Sequence, residues 1–231
     1  MKKLLIWDFD GVIADSEKLW VQSWIKVLKT EKNIVLTDSE IKDLLVGVSD
    51  KTRCQRLEKH ISNLILDNEF MQKIHEKEYY LGSNFMTAIN GVENVMANTY
   101  FEHCIATGAT SEQHQWKMKQ FEWIRKYMSD QDFFTVDMVT HGKPAPDLFL
   151  LAAKTKKYHP SDCIVIGDSV NDFMAAKSAN MDCIAFVGAT GNNTDEYINK
   201  CKTYDIFDIC DNMDSVNTAI NKWLKNKIKR L

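Results

Sequence analysis

Strong charge of either sign is missing from this chain of 231 residues: 29 Lys and Arg stand against 32 Asp and Glu, a net −3. A nucleic-acid binder usually carries a strongly basic face, so no nucleic acid is expected as a partner. The basic tail from Lys225 to Arg230 is short and reads as the solvated end of a last helix. Long apolar runs are also missing. No stretch approaches the roughly 20 apolar residues of a spanning helix, so no membrane partner is expected. The run Leu4 to Trp7 is too short for a signal peptide and meets acids at once, which points to a cytoplasmic protein. No two of the six cysteines form a C-x-x-C pair, which leaves a zinc or redox motif unsupported. Cys104, Cys163 and Cys183 fall in apolar runs, as small core residues of a reduced protein do. Internal repeats, low-complexity segments and a Ser-His-Asp set are absent. Gly188-Ala189-Thr190-Gly191 lacks both the Walker lysine and the Rossmann spacing.

The 45% of hydrophobic and 26% of charged residues are ordinary for a globular protein. The length fits one large domain, or a core with a smaller insertion. Short apolar runs end in polar or small residues: Leu4 to Trp7, His103 to Ala106, Val136 to Val139, Cys163 to Ile166 and Cys183 to Val187. Amphipathic stretches at 111–127, 146–157, 170–179 and 211–226 lie between or after them. Strands alternating with helices predict an α/β fold around a parallel sheet buried on both faces. The segment from Ser16 to Asn84 shows only helical patterns, at 17–30, 38–46, 50–60 and 67–81. It reads as a helical insertion after the first strand: residues 1–15 and 85–231 form the core, and 16–84 a separate helical domain. Crossover helices packed on the sheet are the other reading of that segment.

Ligands of an open α/β sheet bind beyond the carboxyl ends of its strands. Asp8, Asp10, Thr107, Lys143, Asp168 and Asp172 all stand at or just after such ends. Asp8 and Asp10 repel each other unless a proton or cation intervenes, and a hard divalent ion with oxygen ligands would resolve this. Gly11 permits a tight backbone beside a ligand. Asp168 and Asp172 form a second acidic pair; alone they read equally well as an N-cap and a first-turn acid. Lys143 lies between Gly142 and Pro144, in a loop stiffened by Pro144 and Pro146. It suits neutralisation of the acids and a phosphoryl oxygen. Thr107 and Gly108 offer a hydroxyl and an unhindered N–H. Each feature alone is common. Together they match phosphoryl transfer, which needs positioning and charge neutralisation above all.

In order, Asp8-Phe9-Asp10-Gly11-Val12-Ile13, Cys104-Ile105-Ala106-Thr107-Gly108, Gly142-Lys143-Pro144-Ala145-Pro146-Asp147 and Ile166-Gly167-Asp168-Ser169-Val170-Asn171-Asp172 resemble the four motifs of the haloacid dehalogenase-like hydrolases. The resemblance spans essentially the whole chain. It is nearest to phosphatases and β-phosphoglucomutases with a small helical cap on a Rossmann-like, doubly wound core. It implies an Mg²⁺-dependent phosphatase in which Asp8 is the nucleophile and forms an aspartyl-phosphate. Asp10 is then the general acid and base. Asp8, Asp10, Asp168 and Asp172 hold the metal, and Thr107, Gly108 and Lys143 hold the phosphoryl group. Leu45-Val46-Gly47-Val48-Ser49 resembles the cap loop that reaches the site. The cap histidine and arginine of the mutases are matched by Trp20 and Asp50, neither of which does the same job; this favours a phosphatase. Trp20, Gly47, Lys51 and Arg53 are the cap's candidate substrate residues, with a solvated helix face as the other reading of Lys51 and Arg53. The implied substrate is a small phosphate ester, a sugar phosphate or a sugar-acid phosphate such as 6-phosphogluconate. A monomer or weak homodimer is expected. The rivals are a phosphomutase of the same family, a non-catalytic metal-binding or interaction module, and a receiver-like domain, which has no room for the insertion.

Overall fold

A computed structural model describes residues 3–46, 48, 50–189 and 193–229. In chain order the elements are strand β1 (Leu4–Trp7), helices α1 (Glu17–Lys32), α2 (Asp38–Leu45), α3 (Asp50–His60), α4 (Asn68–Phe85) and α5 (Val92–Asn98), strand β2 (Glu102–Ala106) and helix α6 (Ser111–Met118). Strand β3 (Phe133–Phe134), helix α7 (Asp147–Thr155), strand β4 (Cys163–Gly167) and helix α8 (Val170–Ser178) follow. Strand β5 (Asp182–Phe186), helix α9 (Asp195–Cys201), strand β6 (Asp208–Cys210) and helix α10 (Met213–Lys229) complete the chain. Among the described residues no helix is long and apolar enough to cross a membrane.

The chain divides into two compact units, one of residues 1–15 and 87–231, the other Ser16–Met86. The first is built on a six-stranded parallel sheet of order β3-β2-β1-β4-β5-β6. The expected α/β, Rossmann-like architecture is therefore the one observed. Every residue of β1 is fully buried, which explains why its sequence runs apolar without alternation. Leu4 and Ile6 pack with Cys104, Val165, Phe149, Ala152 and Phe173 in one continuous apolar cluster. All six cysteines are free thiols, and five of them are buried.

The second unit consists of α1 to α4. Trp24, Leu28, Leu45, Leu57, Phe70 and Ile74 form its core. Polar groups fix the junction of α1 with α3. The fully buried Trp24 donates its indole N–H to Asp50 Oδ1 at 3.2 Å. Arg53 donates from Nε to the Leu45 carbonyl (2.8 Å), from Nη1 to Asp50 (3.0 Å) and from Nη2 to Glu17 (3.1 Å). The boundary expected at residue 84 falls inside α4, which runs on to Phe85.

Two elements differ from the sequence reading. Val136 to Val139 is no strand: Val136–Met138 is a 3-10 turn, and the sheet takes only Phe133–Phe134 from this region. The cause is Asp137, whose carboxylate accepts from the N–H of Ser111 (3.1 and 3.2 Å) and from its hydroxyl (3.0 Å). These bonds span 26 residues of sequence and tie the turn to the start of α6, where apolar alternation alone would extend the chain. The helix expected over 111–127 stops at Met118 and resumes as a 3-10 turn, Glu122–Lys126. Between them Phe121 turns inward, edge-on to Phe9 with ring centroids 5.2 Å apart.

Candidate active site

Strand order reverses at β1: β2 and β3 lie on one side, β4 to β6 on the other. Such a switch point opens a crevice beyond the carboxyl ends of the strands. Trp7 is paired with Ile105 on one side and Ile166 on the other. The residues that follow each strand, Asp8, Thr107 and Asp168, are thereby brought to one edge.

Asp8 continues the line of β1, its N–H donating to the Ile166 carbonyl at 2.9 Å. The chain then turns sharply, with the Phe9 carbonyl accepting from the N–H groups of Ile13 and Ala14 at 2.9 Å each. Gly11 sits in this turn with φ +77°, and a Cβ there would lie 2.1 Å from Asp168 Oδ2. Both the conformation and the space demand glycine. Gly108 is different, because a Cβ there meets nothing within 4 Å. We expect Gly11→Ala to lose activity and stability together, and Gly108→Ala to keep its melting temperature within a few degrees. Melting curves and initial rates on the two variants check this.

Lys143 is the hub of the site. Its buried ammonium donates to Asp8 Oδ1 at 2.8 Å, to Asp172 Oδ1 at 2.7 Å and to the Ala106 carbonyl at 3.2 Å. Burial works against its charge, but Asp172 and Asp8 override that and raise its pKa. Burial and the nearby Asp172 push the Asp8 carboxyl up to about 7 against the pull of Lys143. Asp172 is fully buried and serves two functions. Its Oδ2 accepts from the Ser169 hydroxyl (2.6 Å) and N–H (3.1 Å), in the capping box that starts α8. The N-cap is therefore Ser169, and the N-cap reading of Asp168 is corrected. Oxygens of Asp8, Asp168 and Asp172 all lie within 4.8 Å of one another. Lys143 places one ammonium against two of these three carboxylates. The donor set, all oxygen, fits a hard divalent cation.

Thr107 is buried, and its Oγ1 accepts from the Ala109 N–H at 3.1 Å. Gly108 beside it is exposed. Asp10 lies two residues past Asp8 and meets Lys117, whose ammonium donates to Asp10 Oδ2 at 2.6 Å. Lys117 is buried and also lies 5.8 Å from the centre of the Phe9 ring. The sequence reading missed Lys117 because it sits on an amphipathic helix, where a lysine looks like surface. It missed Tyr197 as well, whose hydroxyl donates to the Asp168 carbonyl at 2.5 Å.

The remaining candidates belong to the helical unit. Trp20 is half-buried on α1 and Lys51 is exposed on α3. Arg53 is not on a solvated face: it is 4% exposed, with its guanidinium engaged by Leu45, Asp50 and Glu17. Its charge is thus committed inside the unit. Gly47 lies outside the described residues.

This edge of acids around a lysine is an arrangement suited to phosphoryl transfer, which needs positioning and charge neutralisation. The model of the haloacid dehalogenase-like hydrolases matches residues 5–186. The chain belongs to that family. It is 28% identical over 186 residues to YhcW of Bacillus subtilis strain 168, which carries a phosphatase name; the match covers 80% of this chain and 83% of that one. It is 23% identical over 183 residues to a phosphorylated carbohydrates phosphatase of Thermotoga maritima, covering 78% and 82%. A haloacid dehalogenase-like protein of Agrobacterium tumefaciens strain C58 has the same fold, with a TM-score of 0.84 at 21% identity over 96% of this chain and 99% of that one.

Proposed function

We propose that the chain is an Mg²⁺-dependent phosphatase of a small phosphorylated metabolite, a sugar phosphate or sugar-acid phosphate, and that it works through an aspartyl-phosphate on Asp8. The observation that carries this reading is the Lys143 ammonium bridging Asp8 and Asp172 at 2.8 and 2.7 Å, with Asp168 in the same cluster. The Thermotoga relative, named for phosphorylated carbohydrates, supports the substrate class. A cytoplasmic monomer or weak homodimer, with the helical unit Ser16–Met86 as a separate domain, belongs to the same proposal.

In this mechanism an Asp8 carboxylate oxygen attacks phosphorus while the bond to the leaving oxygen breaks. Asp10 gives that oxygen its proton. Asp10 then takes a proton from water, which attacks the aspartyl-phosphate and releases inorganic phosphate. Lys143, the Thr107 hydroxyl and the Gly108 N–H hold the phosphoryl oxygens. Asp8, Asp168, Asp172 and the Asp10 carbonyl would hold Mg²⁺. When bound, the ion supplies positive charge against the phosphoryl oxygens and the acids.

Phosphate release from a panel of phosphate esters, with Mg²⁺ and with a chelator, tests the activity. Borohydride reduction during turnover should convert Asp8 to homoserine, detectable by mass spectrometry. Isomerisation of a hexose 1-phosphate without phosphate release would instead establish a mutase. Turnover of none of the esters would leave a binding module.

Two further outcomes are expected. Lys117→Met should lower kcat with little change in KM, because Lys117 orients Asp10 rather than the substrate. Steady-state rates on the best substrate of the panel measure the split. The second concerns pH. The pKa of Asp8 is raised in the metal-free fold to about 7, above its unfolded value. Its contribution to stability is then intact below the unfolded pKa and lost as pH rises through about 7. A divalent ion offsets that loss, so Mg²⁺ should raise the melting temperature more at pH 8 than at pH 6. An equal or smaller rise at pH 8 would count against the metal assignment.

A further inference from the structure

Between α6 and the segment 122–138 of the sheet unit lies a cavity of about 370 Å³. That is near the small end of ligand pockets, which run to roughly 300–1,000 Å³. It is lined by Met118 and Phe133, with Thr135 beside them and Arg125 and Asp130 among the outer residues. His114 belongs to the same wall. Its side chain is buried, yet neither Nδ1 nor Nε2 has a hydrogen-bond partner among the described residues. Buried polar groups are nearly always paired. Burial, reinforced by the nearby Lys117, lowers the pKa of this histidine to about 4. At neutral pH it is an uncharged ring with one donor and one acceptor nitrogen. Phe133 lies 4.9 Å from its ring and Phe9 5.7 Å, the latter edge-on at 83°.

We infer that this cavity is a second binding site, for a small uncharged ring compound bearing an O–H or N–H group, such as a phenol or a cyclic amide, with His114 as its hydrogen-bond partner. Met118 and Phe133 supply apolar walls suited to the faces of a ring. Arg125 and Asp130 are paired with each other, so they present no net charge to attract an ion. A phosphate ester is thus the wrong ligand for this cavity, and the site is independent of the proposed phosphatase chemistry. Both His114 nitrogens are themselves closed off from solvent, although the residue lines the cavity. The torsion about Cβ–Cγ is broad, and the proposed contact requires the ring to turn one nitrogen toward the cavity. Phe9, which touches His114, stands between Asp8 and Asp10, and Lys117 follows His114 by about one helical turn.

The test is a titration of the full-length, ¹⁵N-histidine-labelled chain with phenol, observed by long-range ¹H–¹⁵N spectra. Toluene and inorganic phosphate serve as controls. The His114 resonances are identified by their loss in His114→Phe, which keeps an aromatic ring in place. Phenol should shift them saturably, toluene and phosphate should not, and calorimetry should show phenol binding about tenfold or more weaker in the variant. Absence of a saturable His114 shift with phenol overturns the proposal in the unmodified protein, whether or not the variant folds. An equal response to toluene reduces the cavity to an apolar void, and a response to phosphate contradicts the ligand class; either result also overturns it.

Discussion

Asp8→Asn is expected to abolish turnover while leaving the fold in place. The amide has the shape of the carboxylate but no charge to attack phosphorus with, and no later group in the mechanism replaces it. Loss of a nucleophile typically removes several orders of magnitude of kcat, so a fall of roughly 10⁴-fold or more is expected. The fold should survive because the strand holds Asp8 by its backbone, through the bond to the Ile166 carbonyl at 2.9 Å. The Asp8 carboxylate also carries a burial cost in the metal-free protein, which the neutral amide avoids. A variant with a near-native melting temperature and residual activity above a few per cent would sink the nucleophile assignment.

The second large effect is expected from Lys143→Met. Methionine keeps the apolar stem and removes the ammonium. Asp8 and Asp172 then face each other in a buried site without their shared cation. Breaking a buried ion pair from one side typically costs about 3–5 kcal/mol. In the metal-free protein this loss should be smaller in mildly acidic buffer, where a proton on Asp8 relieves the repulsion. Activity should fall by roughly 10²–10³-fold or more, as for other groups that stabilise transition-state charge. Lys143→Arg should rescue little, because a planar guanidinium cannot replace a compact ammonium between two carboxylates and a carbonyl. Urea titrations with and without Mg²⁺ measure the stability, and phosphate release measures the rate. Unchanged stability in the metal-free variant would show that Lys143 is not the neutralising charge.

Much of this was legible in the sequence, for physical reasons. β1, β2, β4 and β5 are nearly continuous apolar runs because they are buried on both faces. The site acids were legible because each follows such a run directly. Asp172 was ambiguous for a reason the structure resolves: one of its oxygens caps a helix and the other meets Lys143, so both readings hold. The 3-10 turn at Val136–Met138 was hidden because it goes with tertiary bonds that Asp137 accepts from Ser111, 26 residues away. β6 was missed because its three residues include only one that is fully buried. Lys117 was passed over, and the solvated-face reading of Arg53 fails, for a common reason. Helical periodicity assigns a cation to the wet face, and only tertiary contacts show that these two are turned in toward carboxylates.

The central position of β1 in its sheet bears on when this protein can first act during synthesis. Its partners on either side are Glu102–Ala106 and Cys163–Gly167, so the strand that leads into Asp8 is made long before both of its neighbours. Such distant pairings form slowly and late. Domains fold as units while the chain emerges, and Asp8 waits for Lys143 before its charge is offset, while Asp172, which adds negative charge beside it, comes later still. The helical unit of Ser16–Met86 takes its core residues from one continuous stretch and needs no such wait. A growing chain therefore presents the proposed nucleophile, Asp8, well before Lys143 and Asp172, and the site is complete only once α8 has emerged.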